Sequence, residues 1–282
     1  MNFFPISEAK HLIELGLLED VKTGDITTEL SFPSKQNTEG YIRAKEEGVL
    51  AGVPFAKLVL EMMKSKVKVI EHKCDGDLVM PGDKVLTFEG DTSEILIAER
   101  TILNFMQRLS GIATATYLFT KELEGSNTKV LDTRKTLPAY RLLDKYAVLC
   151  GGGVNHRVGL YDMVLIKDNH INASGGISQV LTNVFAGLPK GMKVEIEVEN
   201  LAQLEDVLKF PINRVLLDNM SNELMSDAVQ LVQKLGHQTD LEASGNMTLA
   251  RAKQVAQTGV DYISVGAITH SVMALDLSMR FK

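Results

Sequence analysis

Residues 194–219 read VEIEVENLAQLEDVLKFPINRVLLDN and contain one complete unit of a parallel α/β fold. Val194–Val198 alternates apolar and acidic residues as a strand does, and Leu201–Leu208 places its apolar residues at helical spacing. A second apolar run, Val215–Leu217, ends at Asp218. A strand, a helix and a second strand in this order predict parallel strands joined by a right-handed crossover.

The same pattern continues on both sides of this stretch. Six strands are predicted, at Lys129–Leu131, Met163–Ile166, Val194–Val198, Val215–Leu217, Leu241–Ala243 and Tyr262–Val265. Four helices are predicted among them, at Ile177–Phe185, Leu201–Leu208, Glu223–Leu235 and Leu249–Gln257. Ser221 and Thr248 are helix-start residues in front of the last two. We therefore expect an incomplete, about six-stranded, parallel α/β barrel.

The first third of the chain has a different pattern. Glu39–Val53 and Asp75–Gly90 contain short apolar segments separated by glycines, which predicts strands joined by tight turns. Val53–Lys64 lies between them and has helical spacing, and Ile95–Glu122 predicts a long helix that leads into the barrel. This region is expected to form a small α+β domain.

Composition excludes several classes of protein. The 282 residues are 45% hydrophobic and 23% charged, which is typical of a globular chain rather than a disordered one. The chain has 30 Lys and Arg residues and 36 Asp and Glu residues, which gives a net charge of −6. It therefore has no general basic field that would attract nucleic acid. No apolar run approaches the roughly 18 residues that span a bilayer, and the N-terminus lacks the pattern of a secretory signal. With two cysteines, Cys74 and Cys150, we expect a cytoplasmic protein without nucleic-acid or membrane partners.

Polar and small residues follow the predicted strands at the point where each strand ends. They are Asp132–Lys135, Lys167–His170, Glu197, Asp218–Asn219, Ser244–Asn246 and Gly266–Ala267. The active sites of parallel barrels lie at the carboxyl ends of the strands. These residues are therefore expected to share one site.

Cationic side chains are concentrated in one part of this acidic chain. Arg134, Lys135, His156, Arg157 and Lys167 suit a ligand with carboxylate or phosphate groups, because arginine offers a planar pair of donors and lysine a compact charge. Gly151–Gly153, just before His156, allows a sharp turn or a close approach of the backbone. Arg141 and Lys145, four residues apart, are interpreted instead as the surface of a helix.

Acidic and small residues complete the predicted site. Glu195 and Glu197 point to the same face of their strand, and Glu197 and Asp218 end neighbouring strands as a carboxylate pair suited to ribose hydroxyls or Mg²⁺. Ser244–Asn246 and Val265–Ala267 offer backbone N–H groups at helix starts, the usual phosphate site of a barrel. The residues alone therefore indicate a phosphorylated sugar meeting a polyacid.

Linked motifs carry a resemblance to a known family. They are Gly24–Thr28, Arg43–Lys45, Ala98–Thr101, Leu131–Thr136, Lys145–Val148, Gly151–Arg157, Gly159–Asp162, Leu165–His170, Glu195–Val198, Leu216–Asn219, Glu242–Asn246, Gly259–Asp261 and Ser264–Ala267. In this order they resemble quinolinate phosphoribosyltransferase over essentially the full length. The resemblance implies a pentosyltransferase of NAD biosynthesis that converts quinolinate and 5-phosphoribosyl 1-pyrophosphate into nicotinate mononucleotide, pyrophosphate and CO₂, with Mg²⁺.

The resemblance also implies an architecture and an assembly. It places an N-terminal α+β sandwich at residues 1–110, joined by residues 270–282, and the barrel at residues 111–269. It implies a homodimer, or a higher oligomer, whose active sites form across the interface.

Roles in the site follow from the same resemblance. Arg134, His156, Arg157 and Lys167 would hold quinolinate, helped by Arg100 from the partner chain. Lys135, Glu197 and Asp218 would position the phosphoribosyl substrate and its Mg²⁺-pyrophosphate, so that Mg²⁺ has no direct protein ligand. The expected catalytic group is Lys135, Lys167, Glu197 and Asp218. The remaining expected substrate contacts are Thr133, Ser244, Gly245, Asn246, Val265, Gly266 and Ala267.

One departure and three alternatives accompany this interpretation. Leu137–Ala139 replaces the Thr-Pro-Gly that commonly follows the Arg-Lys-Thr block in the family. The shape of this loop therefore does not follow from the resemblance, whereas its charges do. A related branch associated with molybdenum transport lacks the Asn155–Arg157 and Lys167–His170 blocks. A Schiff-base lyase would use Lys167 as its nucleophile. A biotinyl- or lipoyl-type carrier would present Lys84 in a hairpin.

Overall fold

A computed structural model describes residues 4–282 of the chain. These residues divide into two compact units. The first unit comprises residues 4–117, Thr136–Gly152 and Ala267–Lys282, and the second comprises Leu118–Lys135 and Gly153–Gly266. Each unit thus combines segments distant in sequence. The prediction divides the chain after residue 110 and joins residues 270–282 to the first domain, whereas here residues 111–117 and Thr136–Gly152 also belong to the first unit.

The helices and strands follow the predicted order. The helices are α1 (Ile6–Asp20), α2 (Ile26–Ser31), α3 (Pro54–Met62), α4 (Thr92–Glu122), α5 (Arg141–Cys150), α6 (Asp168–Ser174), α7 (Ile177–Gly187), α8 (Leu201–Val207), α9 (Asn222–Leu235), α10 (Leu249–Ala256) and α11 (Ala267–His270). The strands are β1 (Asn37–Ala44), β2 (Gly48–Val49), β3 (Lys68–Glu71), β4 (Leu78–Val79), β5 (Lys84–Asp91), β6 (Lys129–Leu131), β7 (Val164–Ile166), β8 (Val194–Val198), β9 (Arg214–Asp218), β10 (Asp240–Ser244), β11 (Tyr262–Ser264) and β12 (Leu277–Phe281). Within residues 4–282, no helix is both long enough and apolar enough to cross a membrane.

The first unit contains an antiparallel sheet with the strand order β12-β1-β5-β3. The C-terminal strand pairs with β1 from Gly40 opposite Phe281 to Ala44 opposite Leu277. Phe55 of α3 and Phe88 of β5 are fully buried. This confirms the expected strands and helix of an α+β region.

The second unit contains the parallel sheet, with the strand order β6-β11-β10-β9-β8-β7. All five of its pairings are parallel. The strands β7 to β11 are neighbours in chain order, while β6 pairs with β11, so the sheet has its two edges at β6 and β7. This is the expected incomplete barrel, and it brings all six carboxyl ends to one edge.

Local sequence explains why these elements form where they do. Val194, Ile196 and Val198 of β8 are fully buried, which matches their alternation with the glutamates. The side chains of Ser221 and Thr248 accept hydrogen bonds from the backbone N–H groups of Leu224 and Arg251, as helix N-caps do. The predicted strands and helices of this unit are confirmed to within two residues at their ends.

One interpretation of a side chain is wrong. Lys145 lies on the predicted helix α5, but it is only 2% exposed and does not belong to a solvated helix surface. Its neighbours Leu143, Tyr146 and Val148 are also buried, so α5 is covered on more than one side. The spacing of Arg141 and Lys145 indicates a helix but carries no information about what packs on that face.

Candidate active site

A cavity of about 370 Å³ lies at the carboxyl ends of the strands of the second unit. Its lining residues all belong to that unit, and they are Thr133, Arg134, Lys135, His156, Arg157, Leu165, Lys167, Asp168, Glu197, Leu216, Asp218, Glu242, Ser244 and Ser264. Two arginines and two lysines therefore share one cavity with four carboxylates. Such a lining can bind anionic groups and a polyol or cation at the same time.

The arginines lie on the segments that follow β6 and precede β7. Arg157 is only 9% exposed, and its Nη1 donates a hydrogen bond to the carbonyl of Met163 at 3.1 Å. Burial, and then the neighbouring charge of Arg134, lower the pKa of Arg157. The guanidinium nevertheless stays charged. Two adjacent, partly desolvated cations are unfavourable on their own, which suits an anionic ligand that neutralises them.

Lys167 joins the cationic and acidic sides of the cavity. It lies between β7 and α6, and its Nζ is 2.9 Å from Oε1 of Glu197 on β8. Asp218, at the end of β9, accepts a hydrogen bond from the side-chain amide of Asn219 at 3.0 Å. Asp168, Glu197 and Asp218 also line an adjoining cavity of about 120 Å³. Carboxylate oxygens gathered in this way fit a hard divalent cation.

A loop after Gly153 carries His156 and Arg157 and is held at several points. Val154 bridges to Leu131 of β6. The backbone N–H of His156 donates to Oδ1 of the fully buried Asp132 at 2.8 Å. The backbone N–H of Arg157 donates to Nδ1 of the His156 ring at 2.7 Å. These contacts fix the backbone from which the Arg157 side chain extends into the cavity.

A buried cluster of charged residues lies among the strands. Glu195 of β8 and Glu242 of β10 are both fully buried. Nε2 of His156 is 3.0 Å from Oε2 of Glu195 and 3.6 Å from Oε2 of Glu242, and Nη1 of Arg214 is 3.2 Å from the same Glu242 oxygen. Burial raises the pKa of Glu195. Burial and then the charge of Glu195 raise the pKa of Glu242 to about 8.

The loop after β10 has a backbone that few side chains tolerate. Gly245 has φ +108°, and a Cβ there would lie 2.0 Å from the side-chain oxygen of Asn219. Arg251 of α10 donates to the carbonyl of Gly245 at 2.5 Å and to that of Met220 at 3.2 Å. One guanidinium therefore holds the segments that follow both β9 and β10.

Two family models cover most of the chain. The N-terminal domain of quinolinate phosphoribosyl transferase matches residues 25–110, and the C-terminal domain matches residues 112–280. The chain belongs to this family. The family's two models meet within one residue of position 111, and the second model runs to residue 280, which lies in β12.

Family relatives match over nearly the whole chain. A protein of Arabidopsis thaliana named nicotinate-nucleotide pyrophosphorylase [carboxylating], chloroplastic, is 42% identical over 98% of this chain and 83% of its own. A Bacillus subtilis protein, probable nicotinate-nucleotide pyrophosphorylase [carboxylating], is 39% identical over 96% of this chain and 93% of its own. The structure of the nicotinate-nucleotide pyrophosphorylase from Francisella tularensis superimposes with a TM-score of 0.95 at 40% identity, covering 100% of this chain and 98% of that one.

The structure brings most of the predicted site residues together. Nine line the cavity: Thr133, Arg134, Lys135, His156, Arg157, Lys167, Glu197, Asp218 and Ser244. Gly245 and Asn246 follow β10, and Gly266 follows β11. The backbone N–H of Val265 donates to the carbonyl of Leu131 at 2.9 Å, so it is not available to a phosphate. Ala267 begins α11, and Arg100 is an exposed residue of α4, both in the first unit.

Three residues near the site were not predicted from the sequence to have a role there, and they are Glu242, Arg214 and Arg251. Glu242 stands in the middle of a buried strand between Leu241 and Ala243, which is a readable signal of an inward carboxylate. Arg214 opens β9 and has no such signal. Arg251 lies three residues after the N-cap of α10, and only the folded loops show that it reaches two carbonyls.

Proposed function

We propose that the cavity of the second unit transfers a 5-phosphoribosyl group to quinolinate and releases pyrophosphate and CO₂, leaving nicotinate mononucleotide. The observation that carries this proposal is the charge arrangement of one cavity: Arg134, Arg157 and Lys167 on one side, and Glu197 and Asp218 on the other. Family membership supplies the chemistry, and the cavity has room and charge for a dicarboxylate beside a phosphorylated sugar.

Quinolinate would lie against the arginines. Its two adjacent carboxylates match the two guanidinium groups, and a charge-assisted hydrogen bond between such groups is stronger than one between neutral groups. Lys167 would provide a third cation while it stays within reach of Glu197. The pyridine nitrogen would then face the acidic side of the cavity, where the sugar carbon must lie.

The phosphoribosyl substrate would occupy the acidic side. Glu197 and Asp218 would accept hydrogen bonds from the ribose hydroxyls, and Lys135 would contact the pyrophosphate. The carboxylate oxygens of Asp168, Glu197 and Asp218 fit a nearby Mg²⁺ that is held through the pyrophosphate. Bound there, Mg²⁺ would neutralise negative charge on the leaving group.

Two steps make up the reaction. The pyridine nitrogen forms a bond to the anomeric carbon of ribose as the bond from that carbon to the pyrophosphate oxygen breaks. Lys135 stabilises the charge that develops on that oxygen, which is where a fixed cation accelerates a reaction most. The alkylated ring then draws the electron pair of the adjacent carbon–carboxylate bond, CO₂ leaves, and the ring carbon takes a proton. The protein's main contribution is to hold the reacting atoms in place.

The 5-phosphate would be held beside the sugar by backbone donors. The loop Ser244–Asn246 has Gly245 and Asn246 at positive φ, which turns the backbone sharply at the cavity edge. Gly266 and Ala267 follow the neighbouring strand β11. Arg251 keeps the Gly245 segment in this shape through its carbonyl contact.

The alternative functions have less support from these contacts. A Schiff-base lysine must be uncharged in order to attack a carbonyl, whereas Lys167 has a half-exposed side chain whose ammonium group lies 2.9 Å from the carboxylate of Glu197. The Asn155–Arg157 and Lys167–His170 blocks, which the molybdenum-associated branch lacks, supply His156, Arg157 and Lys167 to the cavity. Lys84 begins β5 in the first unit rather than occupying a hairpin tip.

The product identifies the reaction most directly. Quinolinate labelled in the carboxylate next to the nitrogen should release labelled CO₂ in the presence of 5-phosphoribosyl 1-pyrophosphate and Mg²⁺, together with one equivalent of nicotinate mononucleotide. Omission of either substrate should abolish the release. Mononucleotide formed without loss of the label would overturn the proposal.

We infer further that the chain acts as a homodimer in which Arg100 completes the partner's site. The motif around Arg100 supports this inference, and so does the exposure of its side chain on α4. If Arg100 acts in the partner's site, chains carrying Arg100→Ala and chains carrying Lys167→Ala complement each other. A mixed dimer then has one intact site, and random pairing restores about a quarter of full activity.

A matched control uses two lesions expected in the same chain's site. Lys135→Ala mixed with Lys167→Ala leaves one lesion in every site and should restore no activity. Differently tagged chains confirm that subunits have exchanged, and sedimentation measures the size of the assembly. Confirmed exchange without recovery in the Arg100 mixture would rule out the shared site.

A cytoplasmic location is part of the same proposal. Cys74 is exposed and Cys150 is buried, and the two do not form a disulfide. Free thiols persist in a reducing compartment, whereas secreted proteins tend to pair them. Fractionation of the native cell with an antibody to the chain would test the location.

A further inference from the structure

Residues with a left-handed backbone stand where two neighbouring strands end. Asn219 directly follows β9 and has φ +52°, while Gly245 and Asn246 directly follow β10 with φ +108° and +42°. Left-handed conformations are uncommon for residues other than glycine, although asparagine tolerates them better than most. A backbone of this kind persists only where the surrounding contacts hold it, and it is often found at functional sites.

The two strand ends are joined through the backbone. Asp218 and Ser244 are opposite residues in the parallel pairing of β9 with β10. One residue further on, the backbone N–H of Asn219 donates to the carbonyl of Ser244 at 3.1 Å. This contact holds Asn219 against the loop that follows β10. The Asn219 side chain itself is exposed, so packing in the core does not explain its position.

One end of the Asn219 carboxamide contacts Asp218. Its Nδ2 lies 3.0 Å from Oδ2 of the Asp218 carboxylate. An ionised carboxylate only accepts hydrogen bonds, so the amide nitrogen must be the atom that faces it. With Oδ2 held by this donor, the carboxylate has a fixed orientation, and its other oxygen can accept a hydrogen bond from a hydroxyl group in the cavity.

The other end of the carboxamide faces Gly245. A Cβ added to Gly245 would overlap the side-chain oxygen of Asn219. Glycine therefore suits position 245 for two separate reasons, its positive φ and the presence of this oxygen. The second reason depends on the orientation that the contact with Asp218 imposes on the amide, because a reversed amide would turn its oxygen towards the carboxylate.

We propose that Asn219 is a positioning residue that joins the Asp218 carboxylate and the Gly245 loop into one template for a sugar phosphate. The amide fixes the spacing between the group that accepts from the sugar hydroxyls and the loop beside the phosphate. A site that is ordered before its ligand arrives loses less free energy when it binds. The ligand class rests on the proposed function, whereas the contact between Asn219 and Gly245 does not.

Removal of the Asn219 side chain tests the effect on the ligand. Asn219→Gly keeps a residue that tolerates positive φ and removes both side-chain contacts. Its KM for 5-phosphoribosyl 1-pyrophosphate and its dissociation constant for ribose 5-phosphate, measured by calorimetry, should each rise about tenfold, the effect of one lost hydrogen bond to a charged group. The KM for quinolinate should stay unchanged. Unchanged affinity for both phosphorylated sugars, or an equal rise in the KM for quinolinate, would overturn the proposal.

A double-mutant cycle tests the contact with Gly245. Gly245→Ala alone should raise the dissociation constant for ribose 5-phosphate about tenfold or more, because the new methyl group displaces the Asn219 amide. In chains that already carry Asn219→Gly, the same change should raise it less than about threefold. The strain of alanine at positive φ is present in both backgrounds and cancels in this comparison. Equal effects of Gly245→Ala in the two backgrounds would overturn the proposal.

Gly236→Ala is the matched control for backbone strain. Gly236 ends α9 with φ +69°, and a Cβ there would lie in open space. Its effect on the melting temperature should be the same with and without Asn219→Gly, whereas the effect of Gly245→Ala should be smaller in the Asn219→Gly background. If Gly245→Ala folds in neither background, the affinity of Asn219→Gly for ribose 5-phosphate decides.

The melting temperatures also separate this proposal from the proposed function. If the unmodified protein releases no CO₂ from quinolinate, the proposed function fails. The cycle of melting temperatures still tests whether Asn219 and Gly245 depend on each other. An equal loss of melting temperature from Gly245→Ala in both backgrounds would show that they do not.

Discussion

Two layers of the same sheet use the same residue types for different purposes. The support layer consists of Glu195, Arg214, Glu242 and the His156 ring, and its carboxylates are fully buried. The pocket layer consists of Lys135, Lys167, Glu197 and Asp218, which line the cavity and are less buried; His156 and Glu242 of the support layer border the same cavity. Glu195 and Glu197 are two residues apart on β8 and point to the same face. Depth along one strand therefore separates a supporting carboxylate from one that faces substrate.

The difference shows how burial assigns roles. In the support layer the charges neutralise one another, because an unpaired charge in the interior is strongly unfavourable. In the pocket layer the charged groups border an open cavity, where a charged substrate can contact them.

The largest effect is expected in the pocket layer at Lys135. Lys135→Ala should lower kcat by roughly 100-fold, because the lysine acts on charge that develops only as pyrophosphate leaves. The KM values should change much less. Steady-state assays with each substrate varied measure both constants, and Lys209→Ala, an exposed lysine of the same unit paired with Asp206, is the control. Normal kcat with weakened binding would place Lys135 in ground-state binding instead.

Removal of the Arg157 side chain should weaken mainly the binding of quinolinate. Arg157→Ala should raise the quinolinate KM by about 10- to 100-fold, since a lost charge-assisted partner costs about 1.5–3 kcal/mol. The KM for 5-phosphoribosyl 1-pyrophosphate should hardly move. The quinolinate KM of Arg157→Lys, which keeps the charge but loses the planar pair of donors, should lie between those of the unmodified protein and of Arg157→Ala. An unchanged quinolinate KM in the Ala variant would remove Arg157 from the substrate contacts.

A smaller effect is expected at Arg251, which holds the loop after β10. Arg251→Ala frees the carbonyls of Gly245 and Met220, and it should raise the KM for 5-phosphoribosyl 1-pyrophosphate by about fivefold to tenfold. The quinolinate KM serves as the internal control. Equal changes in both would show a general loss of structure rather than a loosened phosphate loop.

Glu242 of the support layer should make the stability of the protein depend on pH. Glu242 binds its proton more tightly when folded, because burial raises its pKa from 4.5 to about 8. Its contribution to stability is complete below 4.5 and is lost as the pH rises through about 8. Glu242→Gln should flatten this fall, by at most about 1.4 kcal/mol per pH unit. Urea midpoints across this range measure it, and the difference should persist in high salt, since buried groups are poorly screened. An unchanged slope would mean that Glu242 is ionised when folded.

The sequence predicts the elements of the sheet well. Val194–Val198 and Lys129–Leu131 are predicted and observed with identical ends. The alternation of apolar and polar residues, and the polar residues that follow each apolar run, can be recognised locally in the sequence. Because the active site of a parallel barrel lies at the carboxyl ends of its strands, the residues at these ends are expected to lie together. Nine predicted contacts line the cavity for this reason.

The supporting contacts could not be predicted in the same way. Glu242 and His156 lie far apart in the chain, and nothing local shows that one faces the other. The burial of Lys145 depends on what packs over α5, and the spacing of charges on a helix does not show this. The hydrogen bond from the Val265 N–H to the carbonyl of Leu131 follows from the pairing of β11 with β6. In each case a partner distant in sequence sets the role.

Substrate choice tests the central claim most directly. Pyrophosphate release by the unmodified protein should be measured with quinolinate and with nicotinate, which lacks the second carboxylate, at equal 5-phosphoribosyl 1-pyrophosphate and Mg²⁺. We predict release with quinolinate and a kcat/KM for nicotinate at least about tenfold lower, because one charge-assisted contact is missing. Comparable turnover of nicotinate, or no release with quinolinate, would contradict the account.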